Sequence, residues 1–376
     1  MTKTHPITPC LLLDTARMTT NIERMRTRLQ ALGVALRPHV KTCKNIDIAR
    51  QLTAGHPGGI TVSTLAEADY FFEHGMTDIL YAVGIAPGKL PAVADRMARG
   101  MALRIVLDHP QTAVAVAKAA KTFGTRFRVL IEIDADGERA GLRAEASELI
   151  EIAAILERAG CHVDGVMVHA GGSYHCDDTD SMRRMAERER DCAVTAAGRL
   201  REAGHEAPIV SVGSTPTATF AEDLTGATEV RAGVHVFQDL VQAGLGVCKI
   251  DDIAISVLTE VIGHRQEDGK LLVDAGWMAL SRDRGTADQA VDQGYGLVCD
   301  ETGQAFDDVI VTGTNQEHGI IGHRDGSPLN LDEFPVGTHL RILPNHACAT
   351  AAQHEGYWIV DSPYQARRWL SRCRGW

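Results

Sequence analysis

A lysine near the start of the chain could form a covalent bond with a carbonyl group. Lys41 ends an apolar run, Val34–Lys41, that predicts a β-strand. A primary amine at the end of a strand can form a Schiff base with a carbonyl cofactor or substrate. Lys44 stands close by and is the competing lysine. By position alone, an ordinary surface lysine on a loop is the somewhat better interpretation of Lys41.

Two later segments carry small and hydroxyl residues that suit a phosphate group. Ser214 and Thr215 stand where a predicted strand gives way to a helix, so backbone N–H groups there can face an anion. Gly233 and Val234 end the next predicted strand, where a glycine permits the close approach of a ligand. Each segment alone is better explained as a helix cap or a turn. Their positions, after the seventh and eighth strands of a barrel, favour phosphate binding.

Three further side chains follow predicted strands and could contact an aromatic ligand. His169 and Tyr174 lie at the end of one strand and just after it, and could stack on a ring or hydrogen-bond to it. A satisfied histidine beside a loop tyrosine is equally compatible with these positions. Arg139 could hydrogen-bond a phenolate oxygen or a substrate carboxylate. From position alone, a solvated loop arginine is the better interpretation of Arg139.

A histidine and a cysteine stand two positions apart near the end of the chain. In an extended segment, His346 and Cys348 would project to the same side. Imidazole and thiolate together suit Zn²⁺. Two protein ligands leave positions for water and substrate, which is typical of a catalytic metal rather than a structural one. A buried cysteine beside an unrelated histidine is the alternative.

A regular alternation of predicted strands and helices carries most of these residues. The strands are continuous apolar runs, which is typical of parallel strands buried on both faces. Eight strand–helix repeats predict an α/β fold, a (β/α)8 barrel, with the candidate residues at its C-terminal mouth. A doubly wound open sheet is the alternative, weakened because no G-x-G-x-x-G turn follows the first strand. The predicted strands are Val34–Lys41, Gly59–Thr64, Asp78–Val83, Leu103–Asp108, Phe127–Asp134, Val163–Ala170, Ile209–Ser214 and Glu229–Gly233.

After about residue 250 the pattern changes to short strands separated by turns. Ile253–Ile262 and Lys270–Asp274 flank the dipeptide Asp268-Gly269, which predicts a hairpin. We therefore expect a barrel over residues 15–247 and a mostly β domain over residues 248–376. Further strands of that domain are predicted at Asp308–Thr312, Thr338–Leu343 and Gly356–Asp361.

Composition excludes several classes of partner. The 376 residues include 38 Lys and Arg against 49 Asp and Glu, without a cluster of basic residues, so nucleic acid and acidic membrane surfaces are not expected partners. Nine cysteines, an odd number without C-x-x-C spacing, do not form a disulfide framework. No apolar stretch is long enough to span a bilayer or serve as a signal peptide. A cytoplasmic location is expected.

Taken together, these segments resemble the fold-type III pyridoxal 5′-phosphate (PLP) enzymes of the D-serine dehydratase and D-threonine aldolase group. Arg37–Thr42 resembles the group's R-P-H-x-K segment, whose lysine carries PLP, and Pro344–Cys348 resembles its metal-binding segment. The similarity extends over essentially the whole chain. It is closest to the D-threo-3-hydroxyaspartate dehydratase branch, in the stretches Ser63–Ala68, Ser211–Thr217, Asp274–Ala279 and Asn315–Gly319.

The resemblance implies an alanine racemase-like fold, in which residues 1–14 join the β domain, and a homodimer. It implies that Lys41 holds PLP and that His346 and Cys348 hold a divalent metal. Zn²⁺ fits this pair best, and Mn²⁺ or Mg²⁺ could serve. The residues implied to contact PLP are Arg139, His169, Tyr174, Ser214, Thr215, Gly233 and Val234.

The implied reaction is the dehydration and deamination of small D-3-hydroxy amino acids to a 2-keto acid and ammonia. D-threo-3-hydroxyaspartate, D-serine and D-threonine are substrates of this type. Retro-aldol cleavage to glycine and an aldehyde is the first alternative. Aldolase members often carry Asp where Cys348 stands, which favours dehydration. A non-catalytic PLP-binding protein is the second alternative, and the β domain with its His346–Cys348 pair argues against it.

Overall fold

The structure, a computed structural model, describes residues 6–56, 59–361 and 365–376. The chain divides into two compact units. The barrel unit comprises Arg24–Gly233 with Cys373–Trp376, and the β unit comprises Met1–Glu23 with Val234–Arg372. The first strand, β1 (Cys10–Asp14), pairs with strands of the β unit.

Eight parallel strands form the sheet of the barrel unit. A parallel bridge between His39 and Thr61 joins the first of these strands to the next, so the sheet closes on itself. The predicted (β/α)8 barrel is therefore confirmed. The strands are β2 (Ala35–Leu36), β3 (Ile60–Val62), β4 (Asp78–Gly84), β5 (Ala102–Leu107), β6 (Arg128–Ile133), β7 (His162–Val168), β8 (Ile209–Val212) and β9 (Glu229–Val230), in the order β2-β9-β8-β7-β6-β5-β4-β3.

Helices alternate with these strands and bury one apolar face each. In the helix that begins at Ile46, for example, Ile48 and Leu52 are buried on one side, and Asn45 caps the start by accepting from the N–H of Ile48. The helices are α1 (Thr15–Ala31), α2 (Ile46–Thr53), α3 (Leu65–Glu73), α4 (Leu90–Ala98), α5 (Pro110–Phe123), α6 (Glu148–Arg158), α7 (Thr179–Glu202) and α8 (Thr215–Phe220).

The first barrel strand is shorter than predicted. Regular pairing covers Ala35–Leu36 rather than Val34–Lys41. Pro38 has no N–H to donate to a ladder. Beyond it, the N–H of Lys44 donates to the carbonyl oxygen of Val40 at 2.8 Å and closes a turn. The expectation that Lys41 ends a strand was wrong, because Lys41 lies inside this turn.

A chain of ion pairs links the barrel strands. Arg37 donates to Glu229 at 2.7 Å and to Asp78 at 3.1 Å. Arg104 pairs with Asp78 on one side and with Asp164, at 2.7 Å, on the other. Most of these side chains are buried, and burial of a charge is tolerated only when it is paired. The network therefore contributes to the stability of the barrel only as long as each member keeps its partner.

Replacing Asp78 by asparagine should destabilise the barrel unit at neutral pH. Burial raises the pKa of Asp78, but the hydrogen bond and charge of Arg37 and the charge of Arg104 outweigh it, so the pKa lies below its usual 3.8. The stabilising contribution is therefore complete above the usual carboxyl pKa and is lost as pH falls through the lower folded value. We expect a loss of about 1–2 kcal/mol in the free energy of unfolding at neutral pH. Urea denaturation measures it, and a loss that persists undiminished in strong acid would contradict the ion-pair explanation.

The β unit contains a nine-stranded sheet. The predicted hairpin is confirmed, since β10 (Ile255–Arg265) and β11 (Lys270–Val273) pair antiparallel. Three strands were not predicted: β12 (Leu297–Cys299), β14 (Gly319–His323) and β17 (Gln365–Ser371). The other elements are β13 (Ala305–Thr314), β15 (His339–Leu343), β16 (Gly356–Asp361), α9 (Leu240–Gly244), α10 (Trp277–Leu280) and α11 (Ala347–Ala352), and the strand order is β11-β14-β13-β12-β15-β10-β1-β16-β17.

The cysteines are structurally unremarkable apart from Cys348. All nine lie in the described parts of the chain, and none forms a disulfide there. Burial raises the pKa of Cys10 and of Cys299 to about 12, so both thiols stay protonated and unreactive at neutral pH. Among the described residues, no helix has the length and apolar character needed to cross a bilayer.

Candidate active site

Lys41 lies on the turn after β2, at the end of the barrel where the parallel strands terminate. Its side chain is exposed, and its N–H lies 3.4 Å from Nδ1 of His39. Lys44, the competing lysine, is paired instead, with Nζ 2.9 Å from Oε1 of Glu67. An exposed amine can meet a carbonyl compound, whereas an amine held in an ion pair cannot do so readily. Of the two lysines, Lys41 is the better candidate for a Schiff base.

Two neutral imidazoles lie beside Lys41. Burial lowers the pKa of His39 well below 6.5, and the charge of Lys41 adds to the effect. Burial also lowers the pKa of His169 to about 4, helped by the charges of Arg139 and Lys41. His169 also contributes to the low pKa of His39, so Lys41, Arg139, His39 and His169 form one cluster. At neutral pH the two imidazoles of the cluster therefore carry no charge.

The protonated nitrogen of His169 can be assigned from its hydrogen bond. Nδ1 lies 3.2 Å from the carbonyl oxygen of Gly213. A carbonyl oxygen only accepts, so Nδ1 of the neutral ring carries the proton and Nε2 carries the lone pair. His169 is half-buried and follows β7 directly. The ring is thereby held in one orientation at the mouth of the barrel.

Arg139 and Tyr174 lie at the exposed rim of this region. Arg139 is 63% exposed, and its guanidinium is 3.8 Å from the buried carboxylate of Glu132 on β6. Tyr174 is exposed on the single turn Gly171–His175 that follows β7. The structure thus places Arg139 beside His169, whereas Tyr174 stands on a separate loop.

Ser214 and Thr215 form the start of α8. The hydroxyl of Ser214 accepts from the N–H of Thr217 at 3.2 Å and lies 3.2 Å from the hydroxyl of Ser173, so it acts as the helix cap. Thr215 is the first helical residue and is buried. The cap interpretation therefore holds for Ser214, and it orients the helix start on which phosphate binding would depend.

Gly233 packs against the segment that carries Lys41. A Cβ at this position would lie 2.8 Å from the carbonyl oxygen of His39, which is closer than real Cβ atoms come to backbone. A glycine is therefore needed where the segment after β9 approaches the segment after β2 this closely. Val234 follows in a single buried turn and is counted with the β unit.

Arg231 is a site residue that the sequence analysis did not single out. It is buried, donating to the hydroxyl of Ser211 at 2.6 Å and to the carbonyl oxygen of Val168 at 2.5 Å. Its charge contributes to the low pKa values of His39 and His169. The available signal was a charged residue two positions before Gly233, near the end of the predicted strand Glu229–Gly233.

The expectation that His346 and Cys348 lie together in an extended segment was wrong. His346 has extended backbone and caps α11, and Cys348 lies in the first turn of that helix. The run of alanines that follows favours a helix over a strand, which explains the difference. The two side chains nevertheless contact each other. Burial lowers the pKa of His346, but hydrogen bonds to Asp283 and Cys348 outweigh it and raise the pKa to about 11.

Asp283 orients the imidazole of His346. Its Oδ2 lies 2.7 Å from Nδ1 of His346, and its Oδ1 accepts from the N–H of Gly285. Asn345 holds the loop in place by donating to the carbonyl oxygens of Asp283 and Gly294. With Nδ1 engaged, Nε2 is the nitrogen that can bind a metal, and a carboxylate partner of this kind is usual for metal-binding histidines.

Asp239 fixes the start of the helix that carries Cys348. Its buried carboxylate accepts from the N–H of Ala347 at 2.9 Å and from the N–H of Gln242 at 2.9 Å, so it caps both α11 and α9. Burial raises the pKa of Asp239 to about 6. Neither Asp283 nor Asp239 could be found from the sequence, because each is far from position 346 along the chain.

In the described parts of the chain, no group of three or more His, Cys, Asp and Glu side chains is arranged to hold a metal. The candidate metal ligands are therefore the imidazole of His346 and the thiolate of Cys348. This pair suits a soft divalent ion such as Zn²⁺ and leaves coordination positions for water or substrate.

Comparison with known proteins gives consistent matches over the whole chain. It is 49% identical to D-threo-3-hydroxyaspartate dehydratase of Delftia sp. (strain HT23), covering 98% of each chain. It is 30% identical to D-serine dehydratase of Dictyostelium discoideum, covering 95% of this chain and 94% of the relative. It is 26% identical to D-threonine aldolase of Arthrobacter sp., covering 98% and 93%.

Two solved structures of D-threo-3-hydroxyaspartate dehydratase variants share the fold. A Cys-to-Ala variant in the metal-free form superposes with a TM-score of 0.96 at 48% identity, covering 99% of this chain and 98% of that one. A His-to-Ala variant, altered two positions earlier, gives 0.97 at 48% identity, covering 99% and 96%. The profile described as "Alanine racemase, N-terminal domain" matches residues 13–240, and the one described as "Putative serine dehydratase domain" matches residues 254–360. The chain belongs to the alanine racemase N-terminal domain family, in the group that also carries the serine dehydratase domain.

Proposed function

We propose that this protein is a PLP- and divalent-metal-dependent lyase that dehydrates and deaminates D-3-hydroxy amino acids to a 2-keto acid and ammonia. The observation that carries the proposal is the exposed amine of Lys41 beside two neutral imidazoles at the barrel mouth. The relatives named above act, by their names, on D-threo-3-hydroxyaspartate, D-serine and D-threonine. D-threo-3-hydroxyaspartate is the first substrate to test.

The residues at the barrel mouth fit a PLP group. Lys41 offers the amine for covalent attachment, and the neutral ring of His169 offers a flat face or the lone pair of Nε2. The capped start of α8 at Ser214 and Thr215, with Gly233 in the segment after β9, offers small residues and backbone groups to the phosphate. Arg139, Tyr174 and Val234 are the remaining proposed contacts.

Lys41 is proposed to serve twice, as the attachment point and as the base. PLP, when bound, supplies an electron sink for the bond that breaks at the substrate α-carbon. The amine Nζ of Lys41 would take the proton from Cα of the substrate. The neutral states of His39 and His169 matter here, because they leave Lys41 without a competing acid at neutral pH.

Nε2 of His346 and Sγ of Cys348 are proposed to hold the metal, with Zn²⁺ as the native ion and Mn²⁺ or Mg²⁺ as possible substitutes. A divalent metal supplies Lewis acidity that favours departure of the 3-hydroxyl group. Asp283 keeps the proton of His346 on Nδ1, and Asp239 fixes the backbone of the helix that bears Cys348. The alanine variants of the related dehydratase altered a cysteine and a histidine with the same two-residue spacing, and the cysteine variant is metal-free.

Asp283→Ala should weaken zinc binding by about 10- to 100-fold, as loss of a carboxylate partner does at other histidine–metal sites. The reason is that the imidazole of His346 loses the 2.7 Å hydrogen bond that orients it. Competition with a chromophoric chelator measures the affinity. Asp288→Ala, an exposed carboxylate on the same loop, is the matched control and should leave the affinity unchanged. Equal zinc affinity in the two variants would remove Asp283 from the site.

Retro-aldol cleavage is the second candidate, favoured by the D-threonine aldolase relative. The two reactions are separated by their products. Purified protein loaded with PLP and metal is incubated with D-threo-3-hydroxyaspartate, D-serine and D-threonine. Ammonia with a 2-keto acid supports dehydration, and glycine with an aldehyde replaces it by the aldolase reaction. Bound PLP without any product would instead support a non-catalytic PLP-binding protein.

Three further proposals complete the assignment. The barrel of residues 15–247 binds PLP, and residues 1–14 with 248–376 supply the metal ligands. The protein works as a homodimer, which the family resemblance supports. It resides in the cytoplasm, which nine cysteines without an internal disulfide in the described chain support.

A further inference from the structure

Lys44, three residues after the candidate cofactor lysine, has an unusual backbone conformation. Its φ is 45°, in the left-handed region that a residue with a side chain rarely adopts. Such a conformation costs about 1 kcal/mol or more and persists only where the surroundings enforce it. The turn from Val40 to Lys44, closed by a 2.8 Å hydrogen bond, contains Lys41. Whatever holds Lys44 therefore also sets the course of the backbone at Lys41.

The side chain of Lys44 is held by a buried carboxylate. Nζ lies 2.9 Å from Oε1 of Glu67, which has almost no exposed surface. The other oxygen of Glu67 accepts from the N–H of Ser63 at 2.8 Å. A carboxylate buried in this way needs a cationic partner, and Lys44 is placed to provide it.

The backbone of Lys44 is held from another direction by the end of the chain. Its carbonyl oxygen accepts from the N–H of Cys373 at 2.7 Å. Residues Cys373–Trp376 are grouped with the barrel unit, although residues before them are grouped with the β unit. Trp376 is 97% exposed. The hydrogen bond from Cys373, and not burial of Trp376, is therefore the contact that can hold Lys44.

The same group of residues reaches Lys41 through a histidine. The hydroxyl of Ser63 lies 3.4 Å from Nε2 of His39, and Nδ1 of His39 lies 3.4 Å from the N–H of Lys41. Glu67 is thus linked to both sides of the turn. It pairs directly with Lys44 at one end, and it is linked to His39, before the other end, through Ser63.

We propose that Lys44 is a positioning residue for Lys41, and that Glu67 and the C-terminal segment Cys373–Trp376 hold it in place. The proposal rests on the proposed role of Lys41 as the cofactor lysine. Lys44 touches neither cofactor nor substrate in this proposal. It fixes the turn so that the amine of Lys41 projects in one direction.

Lys44→Gly removes the ion pair without straining the turn, because glycine adopts a positive φ readily. We expect the dissociation constant for PLP to rise about tenfold, which corresponds to about 1.4 kcal/mol. The visible circular dichroism of the bound cofactor should also shrink, because a loosely held lysine no longer imposes one orientation. Glu67→Gln should give the same result. Lys44→Arg keeps the charge and should restore both readouts to within about threefold of the wild type.

Truncation tests the C-terminal contact separately. A chain that ends at Arg372 lacks the N–H of Cys373 and should show the same loss of PLP affinity. A chain that ends at Arg374 keeps this contact and is the matched control. Combining the truncation at Arg372 with Lys44→Gly should lower PLP affinity little further than either change alone, because both changes act on one turn.

Reduction of the holoprotein with borohydride followed by peptide mapping separates the two proposals. A label on Lys41 in the wild type and in Lys44→Gly, with weaker PLP binding in the variant, supports positioning. A label on Lys44 in the wild type overturns the assignment of Lys41 itself. A label on Lys41 with unchanged PLP affinity and unchanged circular dichroism in Lys44→Gly overturns the positioning role alone, even where the melting temperature falls.

Discussion

Lys41→Ala should lower the rate of D-threo-3-hydroxyaspartate turnover by about 10⁴-fold or more, because the proposed mechanism uses this one amine both to attach the cofactor and to move the α-proton. It should also abolish the visible absorbance band of lysine-bound PLP. Lys44, the neighbouring lysine, should not take over this role, since it is already paired with Glu67. Steady-state kinetics and absorbance spectroscopy measure the two effects.

Lys118→Ala is the matched control for this substitution. Lys118 is an exposed lysine on α5 and should give wild-type rates and spectra. Addition of a small primary amine to Lys41→Ala should restore part of the turnover, because the missing group is then supplied from solution. If the variant kept its band and its activity, a different lysine would be the attachment point.

The barrel could be predicted from the sequence because its signal is local. Each strand is a short, continuous apolar run, and burial on both faces of a parallel sheet produces this pattern directly. The first strand was predicted too long, since the apolar pattern continues to Val40, whereas regular strand pairing ends at Leu36 and is followed only by the isolated His39–Thr61 bridge. The pattern records burial, and Val40 is buried in the turn.

The supports of the candidate site could not be predicted from the sequence, because they depend on contacts between distant segments. Asp283 and His346 are 63 positions apart, and Asp239 lies 108 positions from Ala347. Acidic residues are common, so no local pattern distinguishes these two from solvated ones. Ser214 illustrates a different limit. Taken alone, its segment is better explained as a helix cap, and the structure shows that its hydroxyl caps α8, but the position of the segment in the barrel still favours phosphate binding.

The two candidate centres differ in how their surroundings treat charge. Beside Lys41 the histidines are kept neutral, by burial and by positive neighbours. At position 346 the histidine is kept protonated by Asp283 and Cys348, which together offer negative charge. A site rich in negative charge attracts a cation, and a metal ion would displace the proton from His346. The electrostatics of each centre therefore match the group proposed to occupy it.

Removal of the metal should lower turnover by about 10²- to 10³-fold while PLP remains bound, because Lewis acidity of this kind contributes several kcal/mol to the loss of a hydroxyl group. Dialysis against a chelator removes the ion, and metal analysis with absorbance spectroscopy verifies that the ion is gone and the cofactor is retained. Adding back Zn²⁺, Mn²⁺ or Mg²⁺ separately then identifies which ion restores the rate.

Cys348→Ala should reproduce the effect of chelation permanently, since one of the two proposed protein ligands is lost. Cys192→Ala, on α7 of the barrel unit, is the control and should retain both the metal and the rate. The product distinguishes dehydration from cleavage here as well. If the metal assists departure of the 3-hydroxyl, its loss slows ammonia and keto acid release without producing glycine. Full turnover after verified metal removal, or by a metal-free Cys348→Ala protein, would exclude His346 and Cys348 from the chemistry and leave Lys41 and PLP to perform it alone.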